Sequence, residues 1–265
     1  MTAKVLTHQV DGRGEPVLLL NGELMTMAAW EPIAAGLMVS RRVVRCDLRG
    51  QLLSPGAPPT SLDGHIEAVE RVLDELAIER VDVVGTSFGA LVGLELAATR
   101  PERVRSLIVG QASARPSVEG WSRAADIVAA CRRAAIDSSD GAVVFDRMVE
   151  LMFSDAYLAK HTELFDLRSR AVAGFPAEYF AGLLGMFDIL AALDFGSHLE
   201  RIAAPTLVVE AARDRVYPSP ASADLARRIP RAEHVLVSGA NHGVVIEEPA
   251  SLLGVIQSFL ARRSA

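Results

Sequence analysis

The sequence predicts an α/β fold: a mostly parallel central sheet with helices on both faces and a helical segment inserted into it. Three observations carry that expectation. Six short apolar runs recur along the chain. Amphipathic helical patterns separate most of them, and from about Ala112 to Gly196 helical patterns follow one another with no strand between. The 265 residues suffice for one large core with a modest insertion, and two unrelated domains are not expected.

In chain order, the stretch from Lys4 to Val10 is expected to supply an antiparallel edge. The buried-strand candidates are Val17–Leu20, Val43–Cys46, Val81–Val84, Ser106–Val109, Thr206–Val209 and His234–Val237. After a loop at Pro55–Pro59, Ile66, Val69, Leu73 and Leu76 recur at helical spacing. Leu252, Leu253, Ile256, Phe259 and Leu260 do the same in the last helix. The inserted stretch reads as four amphipathic helices, Trp121–Ala135, Gly141–Phe153, Ala156–Ala173 and Pro176–Leu193. The expected organisation is therefore a core of residues 1–111 and 197–265 with a helical cap of residues 112–196.

Composition removes several function classes. The net charge is −6, and the 25 Arg and 2 Lys are interleaved with acids instead of forming a stripe, which argues against a nucleic-acid partner. No apolar run reaches the roughly 20 residues a membrane span requires. The N-terminal residues lack the apolar core of a signal peptide, so a cytoplasmic location is expected. Cys46 and Cys131 fall on a strand end and a distant helix and read as packing residues. There is no CxxC, HExxH or acidic calcium-loop pattern and no ligand spacing among the six histidines, so neither metal nor cofactor is expected.

The chemistry-bearing stretch is Val81–Ala97, VDVVGTSFGALVGLELA, where a strand pattern meets a helix pattern at Gly85-Thr86-Ser87-Phe88-Gly89. G-x-S-x-G alone is a weak signal. Between a strand and a helix it describes a turn so tight that small flanking residues are required, with the serine at the helix N-terminus. A serine hydroxyl needs a base, and the base needs an orienting acid. His242 lies in the polar loop SGANHGVVIEEP, and Asp214 follows the strand in TLVVEAARDRVYP. The order Ser87, Asp214, His242 suits a nucleophile, an acid and a base.

Through these segments the chain resembles the α/β-hydrolase superfamily over nearly its whole length. It looks most like the capped esterase, lactonase and enol-lactonase branch. GTSFG matches the nucleophile turn, Arg45–Gly56 (RCDLRGQLLSPG) a strand-end loop, EAARDRVYP the acid turn and NHGVVIEEP the base loop. Asn21–Trp30 (NGELMTMAAW) matches the oxyanion segment. The resemblance implies a serine hydrolase acting on a small-molecule acyl substrate, an ester, thioester or lactone. A monomer or homodimer is expected. It further implies that the backbone N–H groups of Glu23 and Phe88 form the oxyanion hole. Acyl transfer or perhydrolysis on the same acyl-enzyme is an alternative, since Asn-Gly at 21–22 also occurs in relatives resembling acyltransferases. A receptor-like, non-catalytic member of the fold is a second alternative.

Three departures are visible: Asn21 stands for the usual His, Asn241 for the usual Gly before the base, and Ala90 for a frequent Gly. Glu23 is the odder one, because a carboxylate beside a developing oxyanion opposes it. Its side chain is expected to face solvent, with a substrate contact or an oxyanion-tuning role as alternatives. Met25, Met27, Trp30, Trp121, Met148, Met152, Phe153, Phe180, Met186 and Phe187 are candidates for an acyl pocket, about a third of them expected to touch substrate and the rest to be plain core. His65 and His198 read as structural, and Asp47 and Arg49 as loop-fixing.

Overall fold

The computed structural model describes residues 5–54, 56–116 and 118–263. Lys4 and Pro55, which fall in predicted segments, lie outside them. The core strands are β1 (His8–Asp11), β2 (Glu15–Leu20), β3 (Arg41–Cys46), β4 (Val81–Thr86), β5 (Val104–Gly110), β6 (Thr206–Ala211) and β7 (Ala232–Val237). They form a seven-stranded sheet in the order β1-β3-β2-β4-β5-β6-β7. β1 runs antiparallel to β3 at one edge, and the other pairings are parallel. Each of the six predicted strands is present, and β1 supplies the expected edge.

Helices α1 (Glu31–Leu37), α2 (Leu62–Glu75) and α3 (Phe88–Thr99) precede the insertion. α4 (Val118–Asp137), α5 (Gly141–Met152), α6 (Asp155–Lys160), α7 (Thr162–Val172) and α8 (Ala177–Ala191) compose it, and α9 (Ala221–Arg228), α10 (Val244–Glu247) and α11 (Pro249–Ala261) follow. Successive strand residues point to opposite faces. Leu18 and Leu20 accordingly join α2, α3 and the insertion in one apolar cluster, while Val17 and Leu19 join α1 and α11 in the other. Burial of both faces explains why the strands read as continuous apolar runs.

The inserted stretch holds five helices among the described residues, not four. The predicted Ala156–Ala173 helix is broken at His161, whose backbone leaves helical geometry at φ −122° and ψ 24°. Its amide still bonds the carbonyls of Tyr157 and Leu158, and its ring packs on Tyr157 with centroids 4.4 Å apart. The insertion is pressed onto the β3-end loop through two glycines: a Cβ on Gly182 of α8 would lie 2.2 Å from the Gly50 carbonyl oxygen. His198, read as structural, ties the segment before β6 to α3, its Nδ1 3.0 Å from a Glu95 carboxylate oxygen. Cys46 and Cys131 are free and buried, and burial pushes both thiols up to about 12. Among the described residues no helix is long and apolar enough to cross a membrane.

Candidate active site

The site lies at the carboxyl ends of the parallel strands, where β4 turns into α3. Ser87 occupies that turn with φ 51° and ψ −123°, a region an L-residue enters only when its surroundings force it. The flanking glycines are what make the turn possible. A Cβ on Gly85 would stand 2.4 Å from the Gly89 carbonyl oxygen, and one on Gly89 would stand 2.3 Å from that of Leu20. The Ser87 amide donates to the Gly110 carbonyl of β5, and the Ala90 and Leu91 amides return to its own carbonyl.

Three loops bring partners to this hydroxyl. His242 Nε2 lies 3.0 Å from Ser87 Oγ, and His242 Nδ1 lies 2.9 Å from Asp214 Oδ2. The backbone amides of Val216 and Tyr217 each donate to Asp214 Oδ1 at 2.8 Å, fixing the carboxylate. Burial on its own would raise the Asp214 carboxyl. The charge and hydrogen bond of His242, with those two amides, outweigh it and hold the group below the usual carboxylate range. Burial would likewise lower the His242 imidazole, but the charge and hydrogen bond of Asp214 and the charge of Glu23 outweigh it and raise it.

Glu23 does not face solvent, contrary to the sequence expectation. Its residue is 8% exposed, and its Oε2 accepts the Ser87 hydroxyl at 2.8 Å. The cause is the tight approach of the two loops, for a Cβ on Gly22 would lie 3.2 Å from Ser87 Cβ. Gln51 clamps this loop from behind, its Nε2 donating to the Gly22 carbonyl at 2.7 Å. Asn21 adds a second clamp: its Nδ2 donates to Asp47 Oδ1 at 3.0 Å and to Gln51 Oε1 at 3.1 Å, and its Oδ1 accepts the Trp30 indole N–H at 2.9 Å. Asp47 also receives the Met27 and Leu53 amides, the loop-fixing role read for it. Among the described residues neither the Glu23 nor the Phe88 amide N–H has an intramolecular acceptor.

Above this polar row lies a cavity of about 60 Å³, walled by Trp121, Ala124 and Ile127 of α4, Met148, Leu151 and Met152 of α5 and Phe187 and Leu190 of α8, with Glu23, Ser87, Tyr217 and His242 at its polar end. A second hollow of about 10 Å³ also reaches Ser87 and His242, between Gly22, Met25 and Gly243. Tyr217 stands with its ring centroid 5.8 Å from that of His242. Burial first, and then the carboxylates of Glu23 and Asp214, push its phenol far up, so it stays neutral.

The model of the alpha/beta hydrolase family matches residues 17–254. The chain belongs to the alpha/beta hydrolase family. The Caulobacter segnis protein named "Putative carbamate hydrolase RutD" is 31% identical, covering 95% of this chain and 92% of its own. The 2-hydroxymuconate semialdehyde hydrolase of Pseudomonas sp. strain CF600 is 30% identical, covering 96% and 89%. The crystal structure of the enol-lactonase from Burkholderia xenovorans LB400 superposes with a TM-score of 0.82 at 23% identity, covering 97% of this chain and 96% of its own.

Within this alpha/beta hydrolase, the structure brings Ser87, Asp214, His242, Glu23 and Phe88 to one place. Of the acyl-pocket candidates, Trp121, Met148, Met152 and Phe187 line the cavity, and Met25 lines the smaller hollow. Phe180 does not line it. Its ring is fully buried against the start of α5, where a Cβ on Gly141 would meet its Cζ at 2.7 Å. Gln51, Tyr217, Ile127, Leu151 and Leu190 were not singled out in the sequence. Gln51 and Tyr217 sit in the quoted RCDLRGQLLSPG and EAARDRVYP segments, which is the one signal that marked them. Asn241, where the family usually has Gly, accepts the Arg215 amide at 2.9 Å and donates to the Leu151 carbonyl at 3.1 Å, joining acid turn, base loop and insertion.

Proposed function

We propose that this protein is a serine hydrolase cleaving a small or medium carboxylic ester, thioester or lactone through an acyl-enzyme on Ser87. The observation that carries the reading is the unbroken row from Asp214 through His242 to Ser87, at 2.9 and 3.0 Å, opening into an apolar cavity. In this reading Ser87 Oγ attacks the carbonyl carbon as its proton passes to His242 Nε2, and the carbonyl electron pair moves onto oxygen. The Glu23 and Phe88 amides receive that oxyanion, the Phe88 amide aided by the N-terminus of α3. Collapse expels the leaving group, which takes the proton from His242. A water then gives its proton to His242 and its oxygen to the acyl carbon, releasing the acid and restoring Ser87. The 10 Å³ hollow beside His242 has the size of a single water and is where we place that molecule.

The inserted helices act as the cap in this scheme: they wall the acyl cavity and shut out bulk water. The volume of about 60 Å³ favours a short acyl group. The name of the Caulobacter segnis relative brings carbamates into the same range, since they present the same carbonyl to Ser87. The test is burst kinetics. The wild-type protein should release one equivalent of phenol from an activated acetate ester before reaching its steady rate, and Ser87→Ala should lose the burst and at least about a thousandfold in kcat/KM. A Ser87→Ala protein keeping more than about a tenth of the activity would defeat the reading.

A further inference from the structure

A hydroxyl carries one proton, and Ser87 has an acceptor on either side of it. Oγ lies 3.0 Å from His242 Nε2 and 2.8 Å from Glu23 Oε2. It can donate to one of them, and the other must then carry a proton of its own or leave two lone pairs in contact. His242 Nδ1 is committed to Asp214. For Nε2 to be free to take the serine proton, the Glu23 carboxylate needs a donor from elsewhere. The protein does not provide one: among the described residues no Lys or Arg lines the cavity, and the Glu23 carboxylate makes no hydrogen bond beyond that to Ser87. The Tyr217 hydroxyl shares the cavity and does not bond it. Two acceptors therefore compete for the one proton on Ser87 Oγ, and a ligand that brings its own donor to Glu23 ends the competition.

We infer that Glu23 determines specificity by selecting acyl substrates with an N–H donor beside the reacting carbonyl. The donor sits on the atom bonded to the carbonyl carbon, as in a carbamate, or one atom further out, as in an α-ammonium acyl group. This rests on the serine-nucleophile reading above. A carbonyl carbon poised for attack stands about 3 Å from Oγ, and Oε2 stands 2.8 Å from the same oxygen. Atoms one and two bonds out from that carbon are therefore the ones that come within reach of the carboxylate. An N–H there replaces Ser87 as the donor to Glu23, and the serine proton turns to His242. A substrate with a methyl group in that position leaves the carboxylate holding the hydroxyl.

Two isosteric pairs of phenyl esters test this: carbamate against acetate, and glycinate against propionate. Within each pair the intrinsic reactivities cancel when the kcat/KM ratio of the wild type is divided by that of a Glu23 variant. In Glu23→Gln, whose amide can itself donate to Oγ, the acetate and propionate should rise and the donor-bearing esters fall. The ratio should drop about tenfold or more, as the loss of a hydrogen bond to a charged group implies. Glu23→Ala removes the carboxylate without asking for a new partner and gives the same ratio if Glu23→Gln does not fold. A drop confined to the carbamate pair assigns the donor to the carbonyl-bonded atom, and one confined to the glycinate pair assigns it one atom out. Ratios within about twofold of wild type in both pairs overturn the inference, since a hydrogen bond to a charged group would change them more. A Ser87→Ala protein that still hydrolyses the acetate instead breaks the serine reading, whatever the ratios.

Discussion

Two histidines, His242 and His65, are buried on either side of the Phe88 turn, and they differ in almost everything but burial. His65 on α2 is 0% exposed, meets the Phe88 ring edge-on at 5.0 Å and 76°, and has no hydrogen-bond partner on either nitrogen among the described residues. Burial, with the Arg49 charge adding to it, lowers it from 6.5 to about 4, so it stays neutral and packs as an apolar ring. His242 is 4% exposed, yet the Asp214 and Glu23 carboxylates reverse the effect of burial and raise it. Enclosure alone produces an inert imidazole, and placed carboxylates turn one into a base. The linkage signs are opposite as well. His242 favours the folded state below its unfolded pKa and loses that contribution as pH rises through its raised folded value. His65 costs stability as pH falls from 6.5 toward 4, where the unfolded chain binds a proton that the folded one refuses.

The largest effect is expected at Asp214. Asp214→Asn leaves His242 buried without its principal charge, moving it toward the condition of His65. The expected result is a loss of about 10³- to 10⁴-fold in kcat. The acidic limb of the residual activity should shift to lower pH, because Asp214 is the first of the causes that raise His242. A full-rate Asp214→Asn protein would show that the base needs no carboxylate.

His65→Leu tests the other side. The wild type should lose about 3 kcal/mol of stability between pH 6.5 and 4 that the variant keeps, from the shift of 6.5 to about 4. Denaturant midpoints across that range read the difference, and parallel curves for the two proteins would count against a neutral His65. The smallest shift in pH dependence belongs to Glu23→Gln, which removes the last of the causes raising His242, after the charge and hydrogen bond of Asp214. For the wild type the acidic limb of kcat/KM should lie above 6.5, and in Glu23→Gln it should move down toward it. A limb that stays put would mean that the Glu23 charge does not reach the base.

Much of this arrangement was legible in the sequence because it is local. The strands declare themselves as short apolar runs, and the nucleophile turn declares itself because Gly85 and Gly89 are forced by contacts a few residues away or with the neighbouring strand. The direction of the Glu23 side chain was not legible. It is set by an approach between loops 64 residues apart in sequence, and the pattern NGE says nothing of what faces it. The cavity wall was half legible for a similar reason. Phe180 and Phe187 are two turns apart on one face of α8, so periodicity treats them alike. About 10 Å along the helix separates a residue packed on α5 from one lining the cavity. The break at His161 carries no Gly or Pro to announce it.

In the proposed mechanism Ser87 is the nucleophile and His242 its base. Treating the folded protein with diethyl p-nitrophenyl phosphate at pH 8 and mapping the adduct by peptide mass spectrometry tests it most directly. The expected result is one diethylphosphoryl group on the peptide containing Ser87, none on the Ser87→Ala protein, and labelling slowed by at least about a hundredfold in His242→Ala. An adduct on any other residue, or a Ser87→Ala protein labelled as fast as the wild type, would contradict it.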